Sequence, residues 1–108
     1  MTLPESDWRL FKSVHRAALE RYCQFVLEEC SEVVRGEGFS HDRYLRLYRL
    51  LQERDRSIAT AFNDLWRSTA VERLAAMIAL KVVNDEELDQ FSAQTRESAQ
   101  MLAGYGSR

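Results

Sequence analysis

Apolar residues recur every three or four positions in the stretch 7–35 of the chain. One stripe consists of Phe11, Val14, Ala18, Tyr22 and Phe25. A second stripe with the same spacing consists of Leu19, Cys23, Val26, Cys30 and Val33. This spacing predicts an α-helix. Because the combined apolar arc is wider than one covered face requires, we expect the helix to contact two neighbours.

The stretch 41–67 repeats the pattern and predicts a second long helix. Between the two stretches, Gly36 suits the left-handed residue that closes a helix, and Ser40 suits an N-cap. A connection this short makes the two helices antiparallel neighbours. The apolar stripe of the second helix consists of Tyr44, Leu47, Leu51, Ile58, Phe62 and Leu65.

The stripes of the two helices agree on one register. Antiparallel packing about the turn predicts which residues of the two helices face each other. Three of these pairs are Phe11 with Leu65, Val14 with Phe62, and Val33 with Tyr44. Each helix is then about 40 Å long at ~1.5 Å per residue.

The rest of the chain predicts one medium and two short helices. Thr69 and Glu72 form a possible capping box before a helix over 70–83 that is nearly all apolar, so we expect this third helix to be buried. Asn84 and Glu87 form another box before a helix through Phe91, and Ser92 starts a last helix over 93–103. The residues expected to anchor this end are Leu88, Phe91, Met101 and Leu102.

The chain therefore predicts an all-α, bundle-like fold, with residues 1–108 forming a single all-helical domain. A long antiparallel helical hairpin is completed by the buried third helix and the two short C-terminal helices. We expect residues 1–6 to be a loose tail, with Ser6 or Asp7 capping the first helix.

The third helix is too short to cover the whole hairpin. It spans about 20 Å against about 40 Å, so the half of the hairpin next to the turn is left without a cover. Because exposed apolar surface is unfavourable, we expect a homodimer joined through this half. The candidate interface residues are Phe25, Val26, Cys30, Val33, Tyr44, Tyr48 and Leu51.

Composition places the chain among ordinary globular proteins. The formal charge of −2 gives no overall attraction to nucleic acid or to acidic membranes, and we expect neither a signal peptide nor a membrane span. Cys23 and Cys30 lie two helical turns apart, about 10 Å, which is too far for a disulfide. We therefore expect a reduced, cytoplasmic protein.

Polar residues within the apolar arcs are the candidates for chemistry. Arg54 and Asp55 interrupt the second stripe, and the register places Asp55 level with Arg21. These three residues are either an ionic cluster that fixes the pairing of the helices or a pocket for a small anion. His15 is a further ligand candidate, although a lone histidine on an apolar face is more often a hydrogen-bonded core residue.

The remaining polar patterns indicate no reaction. Arg43, Arg46 and Arg49 share a face, but glutamates at matching levels on the first helix make it a mixed, solvated surface. We find no nucleophile–base pair, metal-ligand set, cofactor motif or phosphate-binding loop. The chain favours a dimeric cytoplasmic interaction or adaptor module that also holds a protein partner. The alternative is a small-ligand or anion-binding regulatory protein that uses the polar cluster.

Several segments resemble a family of small, all-helical bacterial proteins. The segments are 7–11, 18–23, 41–55, 67–70 and 85–97, so the resemblance covers nearly the whole chain. Some members are labelled as peptide-transport substrate-binding proteins, a role we do not expect here because such proteins are multi-lobed, exported and several times longer. The resemblance implies an all-α fold and no reaction, cofactor or catalytic residue.

Overall fold

The computed structural model describes residues 1–104, which contain five α-helices and no strand. A short 3-10 turn, Arg67–Thr69, precedes the third helix. The α-helices are α1 (Glu5–Arg35), α2 (Ser40–Phe62), α3 (Ala70–Ala79), α4 (Asp85–Asp89) and α5 (Ala93–Leu102). The predicted all-α, bundle-like architecture is confirmed.

The hairpin of α1 and α2 forms close to the predicted register. At its open end, the ring nitrogen Nε2 of His15 lies 2.9 Å from the carbonyl oxygen of Phe62. Next to the turn, Arg43 donates to the carbonyl oxygen of Val34. Each contact lies within one residue, on either helix, of a predicted facing pair. The two long helices are therefore antiparallel neighbours over most of their length.

The second helix ends earlier than the hydrophobic pattern predicts. It stops at Phe62, and Asp64 adopts a left-handed conformation with φ 57°. The guanidinium of Arg73 in α3 donates to the carbonyls of Thr60 and Asn63, which the end of the helix leaves free. Leu65 therefore lies beyond α2, and the predicted pairing of Leu65 with Phe11 as helical neighbours is wrong.

The third helix also ends early, at Ala79 instead of residue 83. Lys81 is left-handed, with φ 63°. The amide of Lys81 donates to the carbonyl of Ile78, and that of Val82 to the carbonyl of Met77, which is the Schellman arrangement. The reversal returns Val82 to the core, where it is 1% exposed. The expected signal, a glycine, is absent because lysine occupies the left-handed position.

Two of the three predicted helix starts near the C-terminus carry the caps that the sequence suggests. Asn84 and Glu87 form a reciprocal capping box, and the hydroxyl of Ser92 accepts from the amide of Thr95. The Thr69 box is wrong, because that hydroxyl lies within reach of the carbonyls of Asp64 and Trp66 instead. Here a local side-chain-to-backbone contact in the 3-10 turn replaces the cap.

Glycine usage in the hairpin turn differs from the prediction. Gly36 is extended, with ψ near 180°, whereas Gly38 carries the positive φ of 109°. A side chain at position 38 would be strained in that conformation. Ser40 is already inside α2, and Phe39 occupies the N-cap position without a side-chain hydrogen bond.

The N-terminal segment is held against the core, contrary to the loose tail that we expected. Leu3 is 1% exposed, and Arg67 donates from Nε to the carbonyl of Leu3 and from Nη1 to the carboxylate of Glu5. The first helix begins at Glu5 after Pro4, so neither Ser6 nor Asp7 is its N-cap.

The core occupies only one end of the molecule. There, the halves of α1 and α2 remote from the turn pack against α3, α4 and α5, and α3 is buried as predicted. Leu88 and Phe91 anchor the C-terminal segment, but Met101 and Leu102 are 77% and 60% exposed, so their predicted role as anchors is wrong. The radius of gyration is 16.3 Å, against about 13 Å for a compact domain of this length.

Candidate functional site on the distal arm

The half of the hairpin next to the turn projects from the core as a two-helix arm, which we define as residues 24–53. Cover by the rest of the chain ends at its base, where Arg21 of α1 meets the carbonyl of Val82 and Glu53 of α2 borders a groove shared with Leu80. The arm makes the molecule elongated, with extents of 52 × 29 × 21 Å. The hairpin half expected to lack a cover is not covered by any other part of residues 1–104.

The arm exposes large apolar side chains on both helices. Four of the predicted interface residues, Phe25, Tyr44, Tyr48 and Leu51, are exposed by 54%, 62%, 55% and 46%. Sequence reasoning did not include three further exposed residues in its interface set, namely Leu27, Val34 and Phe39. Their apolar character at helical spacing was the available signal.

The other predicted interface residues are buried or half-buried. Val26 is 7% exposed and belongs to the core of the chain itself, so it is not free to contact a second copy. Cys30 and Val33 are half-buried. Both cysteines are free thiols, as their spacing predicts.

The tip of the arm is fixed by arginines that satisfy backbone carbonyls. Arg43 donates to the carbonyls of Val34 and Gly38, and Arg46 donates to the carbonyl of Glu37 over 2.8 Å. These carbonyls lie where α1 has ended, so they lack helical partners. Arg43 and Arg46, two of the three arginines predicted to share a face, thus donate to carbonyls of the chain itself.

Helical spacing divides the arm into two flanks on opposite sides of the α1–α2 seam. The seam positions are the buried or half-buried residues of the arm and its base from which the flanks are counted, namely Tyr22, Val26, Glu29 and Val33 of α1 with Arg43, Leu47 and Leu50 of α2. In an antiparallel pair, residues one step after the seam positions lie on one flank of both helices, and residues one step before lie on the other. We call the first the tyrosine flank. It consists of Cys23, Leu27, Cys30 and Val34 of α1 with Tyr44, Tyr48 and Leu51 of α2.

The opposite side, which we call the charged flank, carries a groove of about 400 Å³. Its lining includes the charged side chains of Glu29, Glu32, Arg46, Arg49 and Glu53. Glu53 also borders the groove between α2 and α3, so the charged flank is on the same side of the hairpin as α3. The tyrosine flank is therefore the side that faces away from α3.

Arg54 and Glu29 join the two helices of the arm near its base. The guanidinium makes two hydrogen bonds of 2.9 Å to the carboxylate. The bonds to Arg54 lower the pKa of Glu29 against the effect of burial, and the same bonds raise the pKa of Arg54. Arg54 thus joins α2 to α1 through Glu29, which was not among the residues predicted to form the ionic cluster.

Arg21 is engaged elsewhere, with the segment that follows α3. It donates to both carboxylate oxygens of Glu87, at 2.6 and 2.9 Å, and to the carbonyl of Val82. The bonds from Arg21 lower the pKa of Glu87 in spite of its burial. Glu87 thus ties α4 to α1 while it completes the capping box with Asn84.

The predicted cluster of Arg21, Arg54 and Asp55 does not form. Each arginine has its own carboxylate, and Asp55 is exposed and makes no ion pair with either one within residues 1–104. The register estimate failed because an arginine side chain reaches several residues along the helix. Because each guanidinium is already paired with a carboxylate, the two arginines do not form the shared anion pocket of the alternative hypothesis.

His15 is a half-buried residue with a backbone partner. Its Nε2 donates to the carbonyl of Phe62, which can only accept, and its ring contacts Phe11 and Phe62 edge-on or tilted. It therefore holds the last turn of α2 against α1. This is the structural role that a lone histidine on an apolar face suggests.

Asp7 is the polar site that sequence reasoning missed. It is 3% exposed, and its carboxylate accepts from the amide and hydroxyl of Ser92 and from the hydroxyl of Thr95. Burial alone would raise the pKa of Asp7, but the hydrogen bonds from Ser92 and Thr95 outweigh it and lower the pKa. Asp7 lies at the N-terminus of α5, where the helix dipole favours an anion.

The described residues hold no other assembled polar site. Within residues 1–104, every buried side-chain nitrogen and oxygen has a hydrogen-bond partner. No group of three histidine, cysteine, aspartate or glutamate residues in that range is placed to hold a metal ion. None of the helices described is long and apolar enough to cross a lipid bilayer. The candidate functional site is therefore the exposed apolar surface of the arm.

Comparison with known proteins adds no family to this picture. No protein-family model, curated protein or solved structure matches the chain. The arm and the core are therefore interpreted from their own geometry.

Proposed function

We propose that the protein is a cytoplasmic, dimeric helical interaction module whose distal arm binds a second copy of the chain. The observation that carries this proposal is the exposure of seven large apolar side chains on a two-helix arm of about 30 residues, between 46% and 82% each. In the core, the same helices bury their apolar residues almost completely. The core then acts as the scaffold, and the arm as the binding element.

The physical argument rests on the value of covering apolar surface. Burying a leucine or an aromatic side chain that was exposed is worth about 1.5–3 kcal/mol. Large exposed apolar patches are uncommon on soluble monomers, and they mark interaction sites. Association through the arm provides cover that residues 1–104 of a single chain do not give to these side chains.

The cytoplasmic assignment is supported by the thiols. Cys23 and Cys30 are both free and partly exposed, which fits a reducing compartment.

The surface proposed for another protein is at the opposite end, where Trp66 is 62% exposed. Partly exposed tryptophans are common anchors in protein interfaces, and this position leaves the arm free for the second copy.

The test is the mass of the protein in solution. Light scattering at micromolar concentration should give twice the 12.6 kDa of one chain, falling toward the single-chain mass on dilution because a dimer dissociates by mass action. A mass of 12.6 kDa throughout the micromolar range would contradict the proposal.

A further inference from the structure

The two flanks of the arm differ in what they offer a second copy. None of the seven residues that form the tyrosine flank is charged. The charged flank carries Glu32, Arg49 and Glu53 around its groove. Interface cores are depleted of charge and enriched in aromatic residues, so the two flanks are not equivalent candidates.

The exposed side chains of the tyrosine flank supply more than half of the area that one partner contributes to a standard dimer. Its five most exposed members are Leu27, Val34, Tyr44, Tyr48 and Leu51, between 46% and 64% exposed. With 150–250 Å² for a whole aromatic side chain and less for the aliphatic ones, they present on the order of 500 Å². A standard interface takes about 800 Å² from each partner, and the half-buried Cys23 and Cys30 of the same flank add to the contact.

Geometry favours a second hairpin as the occupant. Two copies of a two-helix layer, packed face to face, give a four-helix arrangement in which each uncovered flank is the cover of the other. The same patch is then used on both copies, as a two-fold interface requires. Because the flank is uncharged, no like charges meet across the symmetry axis.

The position of α3 leaves this flank open along the whole arm. The core packs on the side of the charged flank, as the groove shared by Glu53, Ala79 and Leu80 shows. A second copy on the tyrosine flank therefore meets no steric obstacle from α3. On the charged flank it would have to share space with the end of α3.

We propose that the two copies dock through the tyrosine flanks of their arms and that the charged flank stays in solvent. This inference rests on the proposed dimeric function and specifies the face that performs it. It drops Phe25 from the interface, although Phe25 is as exposed as Tyr48, and adds Leu27 and Val34.

Phe25 and Tyr48 provide a matched pair for the test. Their exposed fractions are 54% and 55%, and each is an aromatic residue within a helix of the arm. Tyr48→Arg should weaken the dimer by about 30-fold or more, the effect of a hot-spot residue, because each interface contains the substitution twice. Phe25→Arg should leave the dissociation constant within about threefold, since surface substitutions away from an interface have small effects. Sedimentation velocity over a concentration series measures both.

Leu27→Arg is the second variant on the tyrosine flank, on the other helix, and should also dissociate the dimer. Circular dichroism of each variant verifies that helix content is kept. If Phe25→Arg dissociates the dimer, or Tyr48→Arg and Leu27→Arg leave it intact, the assignment of the face is wrong while the dimer stands. A wild-type monomer would remove the proposed function itself, so the two failures are distinguishable.

Discussion

The two halves of the α1–α2 hairpin have the same hydrophobic pattern but opposite surroundings. Phe11, Ala18 and Phe25 follow one another at seven-residue steps along one face of α1. The first two are fully buried, whereas Phe25 is 54% exposed. The difference arises because α3 covers α1 at the level of Ala18 but ends before the level of Phe25. Periodicity therefore reports which face is apolar, and the length of the covering element decides where that face is buried.

The polar contacts of the two halves differ in the same way. In the core half, Asp7 and Arg21 each join segments more than 60 residues apart in sequence. In the arm, Arg43 and Arg46 satisfy the turn next to them, and Arg54 joins one helix to the other. The core half is cross-linked by tertiary contacts, while the arm relies on its own hairpin.

The largest contrast is expected between two phenylalanines. Phe11→Ala should lower the free energy of unfolding by about 3–5 kcal/mol, because it leaves a cavity in a close-packed core. Phe25→Ala should cost under about 1 kcal/mol, since it removes a side chain that is already half in water. Urea unfolding at a fixed protein concentration measures both. Equal costs would mean that the arm is as tightly covered as the core.

The next largest effect is expected at Asp7. Asp7→Ala leaves the hydroxyl of Thr95 and the amide of Ser92 without their acceptor. Because unpaired buried donors are unfavourable, the free energy of unfolding should fall by about 1–3 kcal/mol. Asp7→Asn keeps the shape and one acceptor, so it should cost less. A thermal or urea transition that is unchanged by Asp7→Ala would show that α5 does not depend on this contact.

The same carboxylate predicts a direction for the dependence of stability on pH. The pKa of folded Asp7 lies below its ordinary value of 3.8, so its stabilisation is fully present above that value and is lost as the pH falls through the folded pKa. The lowered pKa values of Glu29 and Glu87 act in the same direction from their ordinary 4.5 downward. Wild type should therefore lose stability below about pH 4.5, and Asp7→Asn should lose less of it. A stability that does not change on acidification to pH 3 would contradict this.

The smallest contrast is expected between the two ion pairs. Arg21→Ala should cost about 1–2 kcal/mol, because Glu87 is mostly buried and loses two charge-assisted hydrogen bonds. Arg54→Ala in the arm should cost about 0.5–1 kcal/mol, since its partner Glu29 is 42% exposed and screened by solvent. Unfolding of both variants in low and high salt compares them. A larger loss for the arm pair would reverse the contrast.

Much of this architecture follows from local signals in the sequence. The hairpin, its register near Val14 and Phe62, the buried third helix and the caps at Asn84 and Ser92 are all confirmed. Each depends on residues close in sequence or on a period that a helix imposes. The uncovered arm also follows, because helix lengths can be compared before any packing is known.

Several of the features that were wrong depend on contacts distant in sequence. Arg73 ends α2 by taking the carbonyls of Thr60 and Asn63, and Arg67 holds Leu3 in place. Asp7 was interpreted as a cap for its own helix, whereas it binds the start of α5, 85 residues away. Local propensity gives no indication of such partners, and long arginine side chains reach beyond the level that a register assigns.

Hydrogen exchange as a function of protein concentration tests most directly whether the arm is completed by a second copy. Amides in the middle of the arm helices, residues 24–33 and 44–53, should exchange more slowly as the concentration rises through the dissociation constant, because the dimer shields them. Amides of α5 (Ala93–Leu102) that exchange by local opening should exchange at a rate that the concentration does not change, because the dimer opposes only those openings that break it. Arm amides whose exchange is independent of concentration would contradict the account.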